Sequence, residues 1–333
     1  MAAIDILIPT YNGSEYIIET IKSILSQDFK NFRILICDDA SKDDTAKIIQ
    51  QIKDERIVII ENKINFGYSK NLERARQHAT AEFIYLMGQD DIMAKNTLKR
   101  TIKAFKISKD IGAVTRPYFW FDKNIKTPVR AKNQLNPKKD TIVKITDNPK
   151  KVIRVFETLD QLSGLAFRRE FMDLSFHPDI FPCHIYPFAS IFKKHPIVFL
   201  KDYCIAVRIA SSQTRSLSSI YEKSPLLSWV EMVKSVFSEK KYQKVQKYLI
   251  KDFITKNYVG LVQLRNYAKY KYLLREIYYL IKFNWENIFS LSFWFFSLGC
   301  IIMPAPILIS MVDCYKNKIY SQSLKHIKFD FKF

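Results

Sequence analysis

Three short clusters in the first hundred residues could do chemistry together. Pro9-Thr10-Tyr11-Asn12 follows one apolar run, Cys37-Asp38-Asp39-Ala40-Ser41 closes a second, and Gly88-Gln89-Asp90-Asp91 closes a third. Each sets polar or acidic groups where a buried strand stops, which is where open α/β sheets bind their ligands. A polar turn carrying an aromatic ring can receive a nucleobase, and Asp38 and Asp39 can accept hydrogen bonds from base and ribose. Paired carboxylates such as Asp90 and Asp91 can hold a divalent cation against a diphosphate. A lone Asp-Asp reads as a turn or a helix cap; its recurrence at two strand ends, after Pro-Thr-Tyr-Asn, favours a site.

The elements that must position these groups follow from the hydrophobic pattern. Ile4–Ile8, Phe32–Cys37, Arg56–Ile60 and Phe83–Met87 read as strands covered on both faces. Between them, Ser14–Gln27, a segment from Asp43/Asp44 through Ile52, and Tyr68–Ala79 read as helices. Such a β-α-β-α-β-α-β series predicts a parallel sheet with right-handed crossovers, hence an α/β fold. A helix near Lys95–Ile107 follows, and then a basic stretch, Lys123–Lys151, reads as a mobile loop. Gly164–Phe167 and Ile197–Ile209 read as strands separated by a helix near Tyr186–Lys194, and from Pro225 onward the pattern is helical. The expected division is residues 1–220 for the α/β domain and 221–333 for a basic helical region.

The order and spacing of the three clusters resemble the family 2 glycosyltransferases of the GT-A fold, a Rossmann-like domain built on a mostly parallel sheet. The resemblance is strong over about residues 3–105 and thin over 106–215. It implies a nucleotide-sugar-dependent transferase of the hexosyl type, with Pro9, Thr10, Tyr11, Asn12, Asp38 and Asp39 forming the nucleotide pocket. Asn65-Phe66-Gly67-Tyr68-Ser69-Lys70-Asn71 resembles the family's Asn-x-Gly turn, and Lys70 at a helix start could reach phosphate or merely belong to a capped surface helix. Gly88-Gln89-Asp90-Asp91 stands where the family has its Asp-x-Asp motif for Mg²⁺ or Mn²⁺, with Gly88 in place of the first Asp. Asp90 is then the first metal ligand and Asp91 the second, Asp91 counting also among the catalytic carboxylates. The Gly-x-Asp-Asp variant is similar to that of bacterial O-antigen transferases, abequosyltransferase-like proteins among them.

The acceptor end carries less signal. Inverting members place a Glu-Asp pair before a helix, whereas the matching segment here is Phe181-Pro-Cys-His-Ile-Tyr-Pro187. His184 stands where the base would be and imidazole can serve near neutral pH, Asp179 is the other candidate, and a lone His among aromatic rings also reads as structural. Ser211–Ser216 lacks the order of the Gln-x-x-Arg-Trp motif of processive synthases. Arg208 and Arg215 read as surface arginines, with phosphate contact at the mouth of the site as the other reading.

Charge and apolar content bound the partners. Of 333 residues, 53 are basic and 33 acidic, and the excess of +20 is uneven: residues 1–100 carry 14 basic and 15 acidic groups, residues 221–333 carry 18 and 8. Such a field attracts anionic lipid, diphosphate-linked substrate or nucleic acid. The uncharged run 287–312, if straight, would be roughly 39 Å long against a bilayer core of about 30 Å. Gly299, Pro304 and Pro306 interrupt it. Lys269, Lys271, Arg275 and Lys282 precede it and Lys316, Lys318, Lys325 and Lys328 follow it. Basic flanks on both sides predict a kinked, re-entrant or in-plane segment on an anionic membrane surface, ahead of a buried helix pair. Nucleic acid needs no such run and is not expected as a partner. Five cysteines without C-x-x-C spacing indicate neither a disulfide framework nor a zinc site, and the start of the chain lacks the pattern of a secretory signal. These features place the protein at the cytoplasmic face of a bacterial inner membrane, peripheral or monotopic. The expected acceptor is a polyprenyl-diphosphate-linked glycan and the expected donor a nucleotide-sugar. The rival readings are a basic binding protein on a degenerate nucleotide fold and a polyprenyl-phosphate glycosyl synthase.

Overall fold

The computed structural model describes residues 2–210, 218–315, 319 and 321–332. The Ser211–Ser216 stretch with Arg215, and Lys316 and Lys318 of the basic flank, lie outside them. The chain forms two units, Met1–Ala210 together with Leu324–Phe333, and Ser211–Ser323. Residues 324–333 therefore group with the α/β unit instead of with the helical region expected from 221 to the end.

The first unit begins as the pattern predicts. Strands β1 (Ile4–Thr10), β2 (Phe32–Asp38), β3 (Ile57–Glu61) and β4 (Phe83–Leu86) alternate with helices α1 (Ile17–Leu25), α2 (Thr45–Gln50) and α3 (Tyr68–Gln77). All four strands are parallel, in the spatial order β3-β2-β1-β4. Every residue of β1 is buried, and Ile17, Ile21 and Ile24 of α1 share one core with Ile4, Ile6 and Ile8. The one charge inside β1, Asp5, is satisfied by Arg33 through two bonds of 2.8 Å and by the amides of Thr80 and Ala81. This fixes the entry of the sheet without leaving a buried charge unpaired.

Short elements complete the unit. β5 (Ile92–Met93) and α4 (Thr97–Phe105) precede β6 (Ala113–Thr115), β7 (Tyr118–Phe121), β8 (Arg130–Ala131) and β9 (Thr141–Val143). After them come α5 (Pro149–Phe156), β10 (Ala166–Arg168), α6 (Ile185–Lys194), β11 (Ile197–Phe199) and β12 (Ile205–Arg208). β10 joins β4 and β6 antiparallel, and the large sheet ends β6-β11-β9; a second sheet has the order β5-β12-β7-β8. The expected loop 123–151 is thus built into both sheets, since β9 pairs with β11 and β8 with β7. The expected strand Ile197–Ile209 divides between the two sheets.

Residues 324–332 run back over this second sheet. Ile327, Phe329 and Phe331 pack on Ile92, Phe119, Phe121, Tyr203 and Ala206, with Phe329 edge-on to Phe119 at 5.0 Å. The carbonyls of Asp330 and Lys332 accept from Lys95 N at 2.7 Å and Ser26 Oγ at 2.8 Å.

The second unit is helical: α7 (Pro225–Val236), α8 (Gln243–Lys256), α9 (Tyr258–Tyr267), α10 (Tyr270–Phe283), α11 (Leu291–Ile302) and α12 (Ala305–Cys314). Ser224 caps α7 by accepting from Leu227 N, with Pro225 at the first helical position. The uncharged run breaks at Met303-Pro304 between α11 and α12, whereas Gly299 lies inside α11. Among the described residues no helix is long and apolar enough to cross a membrane. A buried helix pair does not form either, because α12 buries no residue and α11 buries only Phe293, Ser297 and Cys300.

Candidate active site

The carboxyl ends of β1, β2 and β4 bring the three clusters to one sheet edge. Thr10 and Asp38 are register partners at the ends of β1 and β2, and Leu7 pairs with Leu86 at the end of β4. Side chains lace the loops beyond them. Asn12 N donates to Ser41 Oγ at 2.9 Å, Lys42 N to Asn12 Oδ1 at 2.8 Å, and Gly13 N to Thr45 Oγ1 at 2.8 Å. Gln89 clasps the backbone of Tyr11, accepting from its amide at 2.9 Å and donating to its carbonyl at 3.1 Å. Tyr11 is half-buried and Asn12 exposed, so both can meet a ligand, while Pro9 and Thr10 are buried beneath them.

The two aspartates of the second cluster have different tasks. Asp38 holds its own turn, accepting from the hydroxyl and amide of Ser41 at 2.5 and 3.1 Å. Asp39, 1% exposed, accepts from Asn62 Nδ2, Phe66 N and Gly67 N at 2.8–2.9 Å. Its carboxylate therefore shapes the Asn65-Phe-Gly turn that starts α3, and the amides at that helix start are turned to Asp39 instead of to a ligand. Asn71 completes the lock by donating to Cys37 O at 2.7 Å and accepting from Asn62 at 2.9 Å. Lys70 is exposed in the first turn of α3.

The third cluster separates Asp90 from Asp91. Asp91 is buried with both oxygens engaged: Ser163 Oγ donates to Oδ2 at 2.5 Å and Arg208 N to Oδ1 at 3.0 Å. Burial, with Asp90 adjacent, pushes its carboxyl pKa upward. That position removes Asp91 as an open second metal ligand and as a solvent-facing catalytic carboxylate. Asp90 is half-buried. Gly88 shows why the first acid of the motif is missing: a Cβ there would come to 3.0 Å from Asp90 Oδ1 and Asp91 Oδ2 and 3.1 Å from Ser163 Oγ. The Ser163 hydroxyl uses this space, accepting from Gly88 N at 2.7 Å. Among the described residues no group of three or more His, Cys, Asp or Glu is placed to hold a metal. The donor set fits a hard cation held by the Asp90 carboxylate with the rest of its shell from diphosphate and water; it does not fit an all-protein cage.

Arg208 is not the surface arginine the sequence suggested. Its side chain is 10% exposed and lies over the rings of Tyr16 and Phe121 at 4.3 and 4.7 Å. It donates to Asp90 O at 3.2 Å and to Glu19 Oε2 at 2.5 Å. Arg116, fully buried, donates to the carbonyls of Thr158, Gln161 and Ser163 and so holds the turn that presents Ser163 to Asp91. Neither contact left a local signal, because Ser163 and Arg208 lie 72 and 117 residues from Asp91.

His184 is 5% exposed, and its Nε2 is 2.8 Å from Leu159 O. Burial, reinforced by the Arg116 charge, lowers its pKa to about 4. A buried imidazole with its Nε2 against a backbone carbonyl has the surroundings of the structural reading that the sequence also allowed. Asp179 is 6% exposed, in the segment leading into α6.

Comparison with known proteins agrees with this geometry. Residues 5–158 match the sequence model of Glycosyl transferase family 2. The chain is 36% identical over 109 residues to the UDP-Glc:alpha-D-GlcNAc-diphosphoundecaprenol beta-1,3-glucosyltransferase WfaP of Escherichia coli, covering 33% of this chain and 43% of that protein. It is 32% identical over 99 residues to WfgD of the same organism, an enzyme of the same description, covering 30% and 39%. The chain thus spans less than half the length of these curated relatives. TarS 1-349 of S. aureus in complex with UDP-GlcNAc superposes with a TM-score of 0.65 over 98% of this chain and 92% of that one, at 15% identity. The mannosyltransferase PcManGT of Pyrobaculum calidifontis, in complex with GDP-Man and Mn²⁺, superposes at 0.55 over 90% and 86%, at 16% identity. A mixed α/β GT-A-like fold, three strand-end clusters in family order and the matched span point the same way: residues 5–158 are similar to the family 2 glycosyltransferases.

Proposed function

We propose that the protein moves a sugar from a nucleotide-sugar donor onto a glycan carried by a polyprenyl diphosphate, in bacterial surface polysaccharide synthesis at the cytoplasmic face of the membrane. The observation that carries the reading is the meeting of Tyr11, Asn12, Asp38 and Asp90 at one sheet edge. In this reading Tyr11 and Asn12 receive the base, Asp38 the ribose, and Asp90 holds Mg²⁺ or Mn²⁺. The cation would supply charge neutralisation to the leaving diphosphate. Arg208, by seating the Asp90 carbonyl and the Asp91 carboxylate, keeps that strand end in place. Asp179 is the candidate acceptor base once His184 is set aside. The lipid-linked acceptor draws on WfaP and WfgD, whose substrate is a diphosphoundecaprenol-linked sugar.

Membrane docking draws on the second unit. Leu291, Phe295 and Ile302 of α11 are 88, 74 and 76% exposed, and Phe289 just before them is 77% exposed. So much contiguous apolar surface marks a contact site, and its break at Pro304 suits a segment lying in the membrane interface. The test is a screen of radiolabelled nucleotide-sugars, with and without Mn²⁺, against water and against GlcNAc-diphosphoundecaprenol in vesicles. Metal-dependent transfer to the lipid is expected; turnover of no nucleotide-sugar with either acceptor refutes the reading.

A further inference from the structure

One face of α3 has no task in the site described above. Together with Phe176 and Pro178 it encloses a pocket of about 310 Å³. Three charged residues line it, and only one is satisfied. Glu73 accepts from Arg76 at 2.5 and 2.8 Å and from Phe176 N at 3.0 Å, so its carboxylate is spoken for. Lys70 and Arg74 stand one turn apart. Neither side chain makes a hydrogen bond or ion pair with another described residue, and Arg74 Nε is sealed from solvent without an acceptor. Two like charges at this spacing weaken a helix by about 0.2–0.5 kcal/mol, and a buried guanidinium donor without an acceptor adds to that. An anion between them removes both penalties.

We propose that this pocket binds a phosphate or diphosphate group, and that the acceptor supplies it. Phosphate-type anions match the fork of Arg and the point charge of Lys. Two placements favour the acceptor over the donor. Helix α3 runs away from Gly67, whose amide is held by Asp39 at the donor edge, so that Arg74 and Gln77 lie about 10 and 15 Å further along its axis. The opposite wall, Phe176 and Pro178, belongs to the segment that carries Asp179, the candidate acceptor base. The inference rests on the transferase reading above and adds to it a diphosphate subsite on the acceptor side.

The experiment uses the full chain and two titrations: inorganic pyrophosphate in metal-free buffer, and UDP with Mn²⁺. Arg74→Gln removes the buried donor, and Gln77→Glu adds a carboxylate on an exposed position that competes for Arg74 without disturbing packing. Each should weaken pyrophosphate binding about tenfold, the equivalent of one charge-assisted hydrogen bond, and change UDP affinity less than twofold. Unchanged pyrophosphate affinity in both variants overturns the site. Equal losses for pyrophosphate and UDP overturn the acceptor assignment and give the cations to the donor. Failure of the transferase reading has a different signature: wild-type protein that turns over no nucleotide-sugar while still binding pyrophosphate through Arg74.

Discussion

Replacing His184 by Gln separates a structural imidazole from a catalytic one. In the folded protein His184 has its Nε2 against Leu159 O, and burial with the Arg116 charge lowers its pKa from 6.5 to about 4, against the opposing pull of the Leu159 hydrogen bond and Asp160. A base whose pKa falls on folding stabilises the native state in full above its unfolded value, and that contribution is lost as pH falls through 6.5 toward 4. At 1.36 kcal/mol per pKa unit the loss saturates near ~3 kcal/mol and reaches about 2 kcal/mol by pH 5. Gln can keep the donor to Leu159 and does not titrate. Urea unfolding of both proteins at pH 7.5 and pH 5.0 should therefore show wild type losing about 2 kcal/mol more than His184→Gln over that interval. Transfer activity should survive in the variant. A wild-type-minus-variant difference that stays the same at both pH values refutes the buried neutral imidazole, and a stable but inactive variant returns His184 to the acceptor side.

Asp90→Asn should leave thermal stability unchanged while lowering kcat by about a hundredfold or more, since no neighbouring open carboxylate can hold the cation; full activity in chelator would remove the metal from the mechanism. Asp39→Asn should cost about 2–3 kcal/mol in chemical denaturation, because three donors lose a charged buried acceptor. A stability within 0.5 kcal/mol of wild type, an approximate limit of measurement, would show that the turn holds without it. Ala40 has φ 57°, a left-handed conformation that strains any side chain with a Cβ. Ala40→Gly should raise stability by about 0.5 kcal/mol, the relief of strain less the added freedom of the unfolded chain, read as a higher urea midpoint. The paired change Leu291→Glu and Phe295→Glu should abolish flotation with anionic vesicles; equal flotation of both proteins would place the membrane contact elsewhere.

The sequence made the donor edge legible because its signals are local. Apolar runs ending in Asp38 and Asp90 reveal strand, stop and acid within ten residues. It could not reveal which acids the fold locks from a distance: Asp39 and Asp91 read like Asp38 and Asp90, and only folding brings Phe66, Ser163 and Arg208 against them. Strands of two or three residues, such as β6, β8 and β9, are too short to establish a period, so the stretch around them read as loop. The C-terminal segment is a different case. Ile327, Phe329 and Phe331 alternate with His326, Lys328, Asp330 and Lys332 in strict period two, a strand-like signal that was available but masked by the apolar run before it.

The return of residues 324–332 to the second sheet bears on how this protein is made. The α/β unit is interrupted in the chain by 113 residues, Ser211–Ser323, and its last piece is synthesised after them. At about 5–20 residues per second, Ile92, Phe119 and Phe121 wait on the order of 10 to 40 s for the aromatic residues that cover them. During that interval the nascent chain presents an uncovered apolar sheet immediately downstream of Asp91. Chaperone capture should concentrate there, and a ribosome stalled within the helical region should yield a first unit that is assembled but unsealed. For the same reason a fragment stopped at residue 210 should leave Phe119 and Phe121 uncovered and be less soluble than one to which residues 324–332 are rejoined.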